Sequence, residues 1–178
     1  MKKFVLLIIL SLTSLVTINA QDVSIDGRLQ PYLNDFFEVC KQYNIEYHEK
    51  LFKLEKIDIV NDLQISEEAF ALGMVRRNEN NEIKTIAINW VAQLDKEILK
   101  VVAFHEFAHY FLEYSEHVCD DCGKIMSVVN TSYFDIIRDW DNKVKELFVE
   151  SPAYIKKNAV ASVENKKEMI TIKPTLYE

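Results

Sequence analysis

The apolar residues of this chain recur at three- and four-residue steps in three segments, and this spacing predicts three helices. The first helix is expected over residues 31–43. The longest should begin at Asp95, a residue that caps helices well, and continue to about residue 114 with a broad apolar face. The third is expected over 132–149 and should end at Pro152. Its predicted core stripe is Phe134, Ile137, Trp140, Val144 and Phe148.

Alternation of apolar and polar residues predicts a small amount of β-structure between the first two helices. Residues 56–59 alternate like a strand, and residues 70–77 and 83–90 form a further pair of candidate strands. The polar run 78–82 between them is typical of a hairpin loop. This order predicts an α+β domain, with a few-stranded mixed sheet packed on the long helix and on a C-terminal helix. The tail from residue 153 has no clear prediction.

Composition is consistent with such a fold and excludes several other classes of protein. The 178 residues are 49% hydrophobic and 28% charged, as in folded globular proteins, and only three Gly and three Pro are present, which argues against a many-turned all-β protein. The formal net charge is −7. An acidic chain with no basic stripe is not expected to bind nucleic acid.

The first twenty residues have the three-part layout of a secretory signal peptide. Lys2 and Lys3 precede an apolar run over 4–10, and Ala20 offers a small residue at a cleavage point before Gln21. A retained membrane anchor is the alternative, but four Ser and Thr residues within the segment favour cleavage. We therefore expect a signal peptide over 1–20, a single domain over 21–178, and a secreted or periplasmic protein without stable membrane insertion after cleavage.

The long helix contains the sequence His-Glu-Phe-Ala-His at 105–109, an H-E-x-x-H motif. Four residues advance a helix by slightly more than one turn, so His105 and His109 point the same way and can bind one metal ion. Glu106 projects from a different side, where it can take a proton from a zinc-activated water. Two histidines that merely pack in the helix are the alternative, but unpaired imidazoles among so many Phe residues would be costly.

A catalytic zinc ion takes three protein ligands, so a third must lie elsewhere in the chain. His117 is the leading candidate, because it follows the expected end of the helix and a turn can bring it back to the metal. The alternatives are carboxylates of the next helix or of the intervening loop: Asp135, Glu146, Glu150, Asp120 and Asp121. For Tyr133, packing is favoured over a hydrogen bond to a developing oxyanion.

Three cysteines leave at least one thiol unpaired within the chain. Cys119 and Cys122 can form a short disulfide that braces the loop, which an exported protein permits. They can also bind a structural zinc ion together with His117 and Cys40. The disulfide is the favoured interpretation.

The motif at 105–109, followed by His117 and a buried Met126, resembles the zincin metallopeptidases and, within them, the metzincin-like group. In that group a Met in a tight turn lies beneath the metal, and Met126 fits this role. The metzincin motif has Gly and His where this chain has Leu112 and Ser115, so the helix is expected to end differently here. The resemblance implies a zincin-like fold and zinc peptidase chemistry.

Together these features predict an exported Zn²⁺-dependent metallopeptidase that acts on peptide or protein substrates. His105, His109 and His117 are the predicted ligands, and Glu106 is the predicted general base. The substrate is expected to pair with the exposed edge of the strand 83–90. Two alternatives stay open: a non-catalytic zinc- or peptide-binding protein of zincin-like fold, and an exported structural protein whose histidines are incidental.

Overall fold

A computed structural model describes residues 22–61, 63–66, 69–129 and 133–171. The predicted signal peptide, residues 1–20, lies outside the described residues. Among the described helices, none is long and apolar enough to span a bilayer. Along the chain the elements are β1 (Ser24–Ile25), α1 (Gln30–Gln42), α2 (His48–Leu51), β2 (Lys56–Val60), β3 (Gln64–Ser66), β4 (Ala69–Phe70), β5 (Gly73–Arg77), β6 (Ile83–Asn89), a 3₁₀ turn (Trp90–Leu94), α3 (Lys96–Phe111), α4 (Tyr133–Arg138), α5 (Trp140–Val149) and α6 (Pro152–Thr171).

A four-stranded mixed sheet in the order β1-β2-β6-β5 confirms the α+β class. β1, β2 and β6 are parallel, and β5 runs antiparallel to β6 at the edge. β3 and β4 form a separate two-stranded ribbon. The predicted hairpin is confirmed, because β5 and β6 are joined through residues 78–82, where Asn81 adopts a left-handed conformation with φ of 63°.

The position of β6 corrects one prediction. Residues 83–90 were expected to offer an exposed edge to a substrate, but β6 lies between β2 and β5 and is hydrogen-bonded on both sides. The sequence missed this because the short parallel strand β2 could not be placed from alternation alone. The open edge of the sheet near the long helix belongs to β5.

The long helix α3 lies at the centre of the molecule, and Asp95 caps it as predicted. The Asp95 carboxylate accepts hydrogen bonds from the backbone N–H groups of Glu97 and Ile98 at 2.7 and 3.2 Å. α3 packs against the sheet, α1 and α4, so it is buried on nearly all sides. Five fully buried phenylalanines from three helices form the middle of the core: Phe36, Phe104, Phe107, Phe111 and Phe148.

The region after residue 130 differs from the prediction in two ways. The single helix expected over 132–149 is two helices, α4 and α5, which are separated at Asp139. The break changes the helical phase, so Phe134 is 57% exposed and Ile136 is buried in its place. Pro152 begins α6 rather than only ending α5, as its fixed φ allows at the first turn of a helix.

Candidate metal centre

Helix α3 and the loop that follows it bring three histidines together. Nε2 of His105 lies 3.1 Å from Nε2 of His109 and 3.1 Å from Nε2 of His117. One nitrogen from each ring falls within a group no wider than 4.8 Å. Of the three side chains, His105 is the most enclosed and His117 the most exposed. The group could hold a metal ion, and it contains all three histidines that the sequence predicts as ligands.

The chain reverses direction directly after α3, and this turn explains the departure from the metzincin spacing. α3 ends at Phe111, Leu112 is still right-handed, and Glu113 adopts a left-handed conformation with φ of 65°. The reversal therefore does not occur at Leu112, where the metzincin motif has Gly. The hydroxyl of Tyr114 donates to the carbonyl of Leu147 at 2.8 Å, which ties the start of the loop to α5.

Hydrogen bonds to backbone carbonyls fix the tautomer of two of the three rings. Nδ1 of His105 lies 2.7 Å from the carbonyl of Ile125, and Nδ1 of His109 lies 2.7 Å from the carbonyl of Tyr114. A carbonyl oxygen only accepts, so each Nδ1 carries the proton and each Nε2 of a neutral ring carries a lone pair. Two lone pairs then face each other at 3.1 Å, an arrangement that a cation between them stabilises.

Burial favours the neutral, metal-binding form of these rings. It lowers the pKa of His105 to about 3, against the opposing hydrogen bond to Ile125. Burial also lowers the pKa values of His109 and His117. For tetrahedral zinc with Zn–N bonds of 2.0–2.1 Å, neighbouring nitrogens lie about 3.3 Å apart. The 3.1 Å separations are close to that value, so the residues fit such an ion.

Glu106 lies in the same cavity but is not part of the histidine group. Its residue surface is only 5% exposed, and burial raises the pKa of its carboxyl to about 8. A nearby cation would oppose this shift by favouring the carboxylate. The side chain lies against β5 at Gly73, where an added Cβ would come within 2.4 Å of Glu106 Oε1 and 2.5 Å of its Cγ.

The three histidines and Glu106 line a cavity of about 550 Å³. It is lined by residues 71–75, at the start of β5 and just before it, and by residues of α3. The loop and the start of α4 add, besides His117 and Ser127, the side chains of Val128, Val129 and Tyr133. Tyr133 packs against the core, which confirms its predicted packing role, and it also lines this cavity.

The alternative carboxylate ligands are engaged elsewhere or exposed. Glu146 and Glu150 both bind Lys124, at 2.9 and 2.8 Å. Asp135 pairs with Arg138 at 3.0 Å. Asp120 and Asp121 are exposed in the loop. None of the five belongs to the histidine group.

The cysteines confirm the favoured interpretation of the loop. Cys119 and Cys122 form a disulfide, while Cys40 is a buried free thiol in the core. A structural zinc site of His117 with these three cysteines is therefore wrong. The thiolates it needs are bonded to each other, and His117 joins the other two histidines instead.

Met126 is 2% exposed, so the buried Met expected after His117 is present. The segment around Met126 contacts the histidine group and its neighbours through backbone carbonyls. The carbonyl of Ile125 orients His105, and the carbonyl of Met126 accepts from Val118 N–H at 3.0 Å, next to His117. Sequence reasoning missed these carbonyls, because any residue type can supply them. It also missed Gly73, for which the scarcity of glycine in the chain was the available signal.

No family model matches the chain, and no curated protein or solved structure is significantly similar to it. Its function is therefore inferred from the geometry of the site.

Proposed function

We propose that the protein is an exported, zinc-dependent metallopeptidase of zincin-like fold that hydrolyses peptide bonds. One observation carries the proposal: three imidazole Nε2 atoms converge beside the buried carboxyl of Glu106, in a cleft bounded by an open strand edge. A site for metal storage has no need of a buried carboxyl next to the ligands. A structural metal site is normally closed by four protein ligands, whereas three leave a position open.

His105, His109 and His117 would hold the ion, and three imidazoles suit zinc among the common biological metals. A zinc ion held there would polarise the carbonyl of the scissile bond and lower the pKa of a water molecule towards about 7. The carbonyls of Ile125 and Tyr114 keep two of the rings in the tautomer that such binding requires. Glu106 would take the proton from the attacking water and pass it to the leaving amine.

The edge strand β5 offers the main-chain groups that an extended peptide needs. Asn89 N–H donates to the carbonyl of Leu72, and Gly73 is the next residue, paired with Ile88. In an antiparallel pair every second residue is hydrogen-bonded to the partner strand, so Leu72 and Met74 bond to the β6 side and Gly73, between them, does not. The N–H and C=O groups of Gly73 and Val75 therefore point away from β6, toward the open edge. A peptide bound there as an added strand would pass Glu106, which lies against Gly73.

Export is supported by the disulfide between Cys119 and Cys122, because disulfides persist mainly in oxidising compartments. We expect the mature protein recovered from the periplasm or the medium to begin at Gln21. N-terminal sequencing or intact mass measures this directly. An uncleaved chain retained in the cytoplasm would contradict the proposed localisation.

The enzymatic proposal is tested by metal analysis together with a conservative substitution at Glu106. We expect about one zinc per chain and hydrolysis of casein by the purified mature protein. Glu106→Gln should keep the metal and lose at least about a hundredfold in kcat, since a general base typically contributes 10²–10⁴-fold. Glu97→Gln is a matched control, because it makes the same change on the same helix at an exposed position.

Other outcomes would favour the alternatives. Stoichiometric zinc with no hydrolysis, or equal residual activity of wild type and Glu106→Gln, would indicate a non-catalytic metal- or peptide-binding protein. Absence of zinc after saturation and desalting would indicate that the histidines are incidental.

A further inference from the structure

A second cavity of about 580 Å³ lies next to the cavity that the histidines and Glu106 line, which we call the metal cleft, and it extends along β5. The two cavities share Val75 and His109. The second extends past the metal centre to Arg77 at the end of β5 and to Ile83 at the start of β6. A peptide that pairs with β5 beside Glu106 would therefore enter this cavity with its next few residues.

The two cavities differ in charge. Apart from the histidines and Tyr133, Glu106 is the only titratable residue among the described residues that line the metal cleft. The second cavity is lined by three cations, Lys50, Lys53 and Arg77, and by one carboxylate, Glu113. The excess of positive charge is unusual for a chain whose formal net charge is −7.

Among the residues that the structure describes, Lys53 and Arg77 are the two cations of this cavity that form no ion pair with a carboxylate. Lys50 donates to Glu113 and to the carbonyl of Phe111, and Glu113 also pairs with Lys156, so the single carboxylate is shared by two lysines. Arg77 donates to the carbonyl of Asn81, which is uncharged.

Other acids lie close to these lysines without lining the cavity: Glu82, and Glu46 and Glu49, which share a neighbouring cavity with Lys50 and Lys53. A carboxylate oxygen of Glu82 lies 3.4 Å from Nζ of Lys84, and Glu82 also interacts electrostatically with Lys53. The residues that line the cavity therefore carry a net positive charge, which would attract an acidic side chain that enters.

We infer that the protein selects substrates with Asp or Glu on the N-terminal side of the scissile bond, bound by Lys53 and Arg77. This inference rests on the proposed function, because it needs a peptide lying on β5. An added strand pairs slightly better in the antiparallel direction, which directs the N-terminal side of the peptide towards Arg77. Arg77 lies two residues beyond Val75, about 7 Å along the strand, so the acid should fall about two to four residues before the cleaved bond.

The test is cleavage of a synthetic library of unstructured peptides, with each cleaved bond identified by mass spectrometry. In the wild type we expect Asp and Glu to be enriched about fivefold at those positions, the upper range for an exposed ion pair. The enrichment should shrink as salt is raised. Lys53→Glu/Arg77→Glu should abolish it, and Lys53→Gln/Arg77→Gln should do so without introducing new charge. Lys96→Glu/Lys145→Glu makes the same charge change at exposed positions outside both cavities and should keep the enrichment.

A binding assay separates failure of this inference from failure of the proposed function. The probes are a fluorescein-labelled peptide with three Glu residues before an apolar segment and its Gln counterpart, titrated against Glu106→Gln. Tighter binding of the Glu peptide, lost with Lys53→Gln/Arg77→Gln, supports the inference even if no peptide is cleaved. Equal cleavage and binding of acidic and neutral peptides overturns it, as does enrichment that survives both double variants, enrichment on the C-terminal side, or absence of any binding.

Discussion

Helix α3 and the loop 112–129 each supply part of the same candidate metal centre, but they are held in place by different forces. α3 is buried by apolar residues on nearly every side, so many contacts fix the directions of His105 and His109. The loop contributes His117 from its largely exposed stretch 115–122, although the loop also has residues on both sides of this stretch that are buried in the core. The contacts of this stretch with the rest of the loop include the disulfide and backbone hydrogen bonds from Val118 to Met126 and from Val128 to Cys119.

The site therefore has two halves. We call His105 and His109 on α3 the rigid half, and His117, whose position depends on the fold of the loop, the conditional half. The geometry of the helix alone places His105 and His109 on the same side, whatever the other residues are. The position of His117 requires that the chain reverse at Glu113 and that the loop close on itself. Loss of one contact of α3 should therefore change metal affinity little, because many other contacts hold the helix. Loss of one contact of the loop should weaken metal binding.

The largest expected effect is loss of a ligand from either half. His109→Ala and His117→Ala should each weaken zinc binding by more than about a hundredfold, because loss of a supporting partner alone typically costs 10- to 100-fold. Competition with a zinc-binding dye measures both affinities. His48→Ala is the matched control, because His48 is exposed and bonded to Glu46, away from the centre. Unchanged binding by His117→Ala would exclude the loop as a source of the third ligand.

A methyl group at Gly73 tests how the strand facing α3 positions Glu106. In Gly73→Ala the new Cβ would lie 2.4 Å from Glu106 Oε1, so the carboxyl must move. We expect kcat to fall by about a hundredfold, the typical cost of a misplacement of about 1 Å. Zinc affinity should stay within about twofold, because Gly73 is separate from the ligand group. Gly27→Ala, where an added Cβ meets nothing within 4 Å, is the control. Full activity of Gly73→Ala would contradict the proposed role of Glu106.

The sequence predicts α3, its Asp95 cap and the pair His105 and His109, because periodicity and capping are local properties. The β5–β6 hairpin is predicted for the same reason. What the sequence does not predict depends on contacts between distant segments. The parallel pairing of β2 with β6 moved the open edge to β5.

Two further features could not be predicted from local sequence patterns. The carbonyls of Ile125 and Tyr114 orient the ligands through backbone geometry that no residue type encodes. The break at Asp139 exchanged Phe134 for Ile136 in the core, because helical phase is lost at a kink.

Removal of the disulfide should affect the conditional half more than the rigid half. Closing a loop of four residues is worth about 2 kcal/mol in the chain-entropy model, so Cys119→Ser/Cys122→Ser should lose about that much stability in urea. Zinc affinity should fall by about tenfold, within the range for loss of a supporting contact. Cys40→Ala, a change to the buried free thiol in the core, should lower stability while leaving zinc affinity unchanged. Equal zinc affinity in all three proteins would show that the disulfide does not hold His117.

The smallest effect is expected where helix and loop meet, at Glu113. Hydrogen bonds from Lys156 and then Lys50 lower the pKa of Glu113, against the opposing effect of burial. A carboxyl whose pKa is lowered on folding stabilises the protein above its unfolded pKa of about 4.3, and this stabilisation is lost as pH falls through the folded pKa. Glu113→Gln should therefore cost about 0.5 kcal/mol at pH 7, a value limited by solvent screening, and less at pH 3. Urea denaturation of both proteins across this range measures the difference. A cost that stays constant with pH would show that the charge of Glu113 does not stabilise the folded protein.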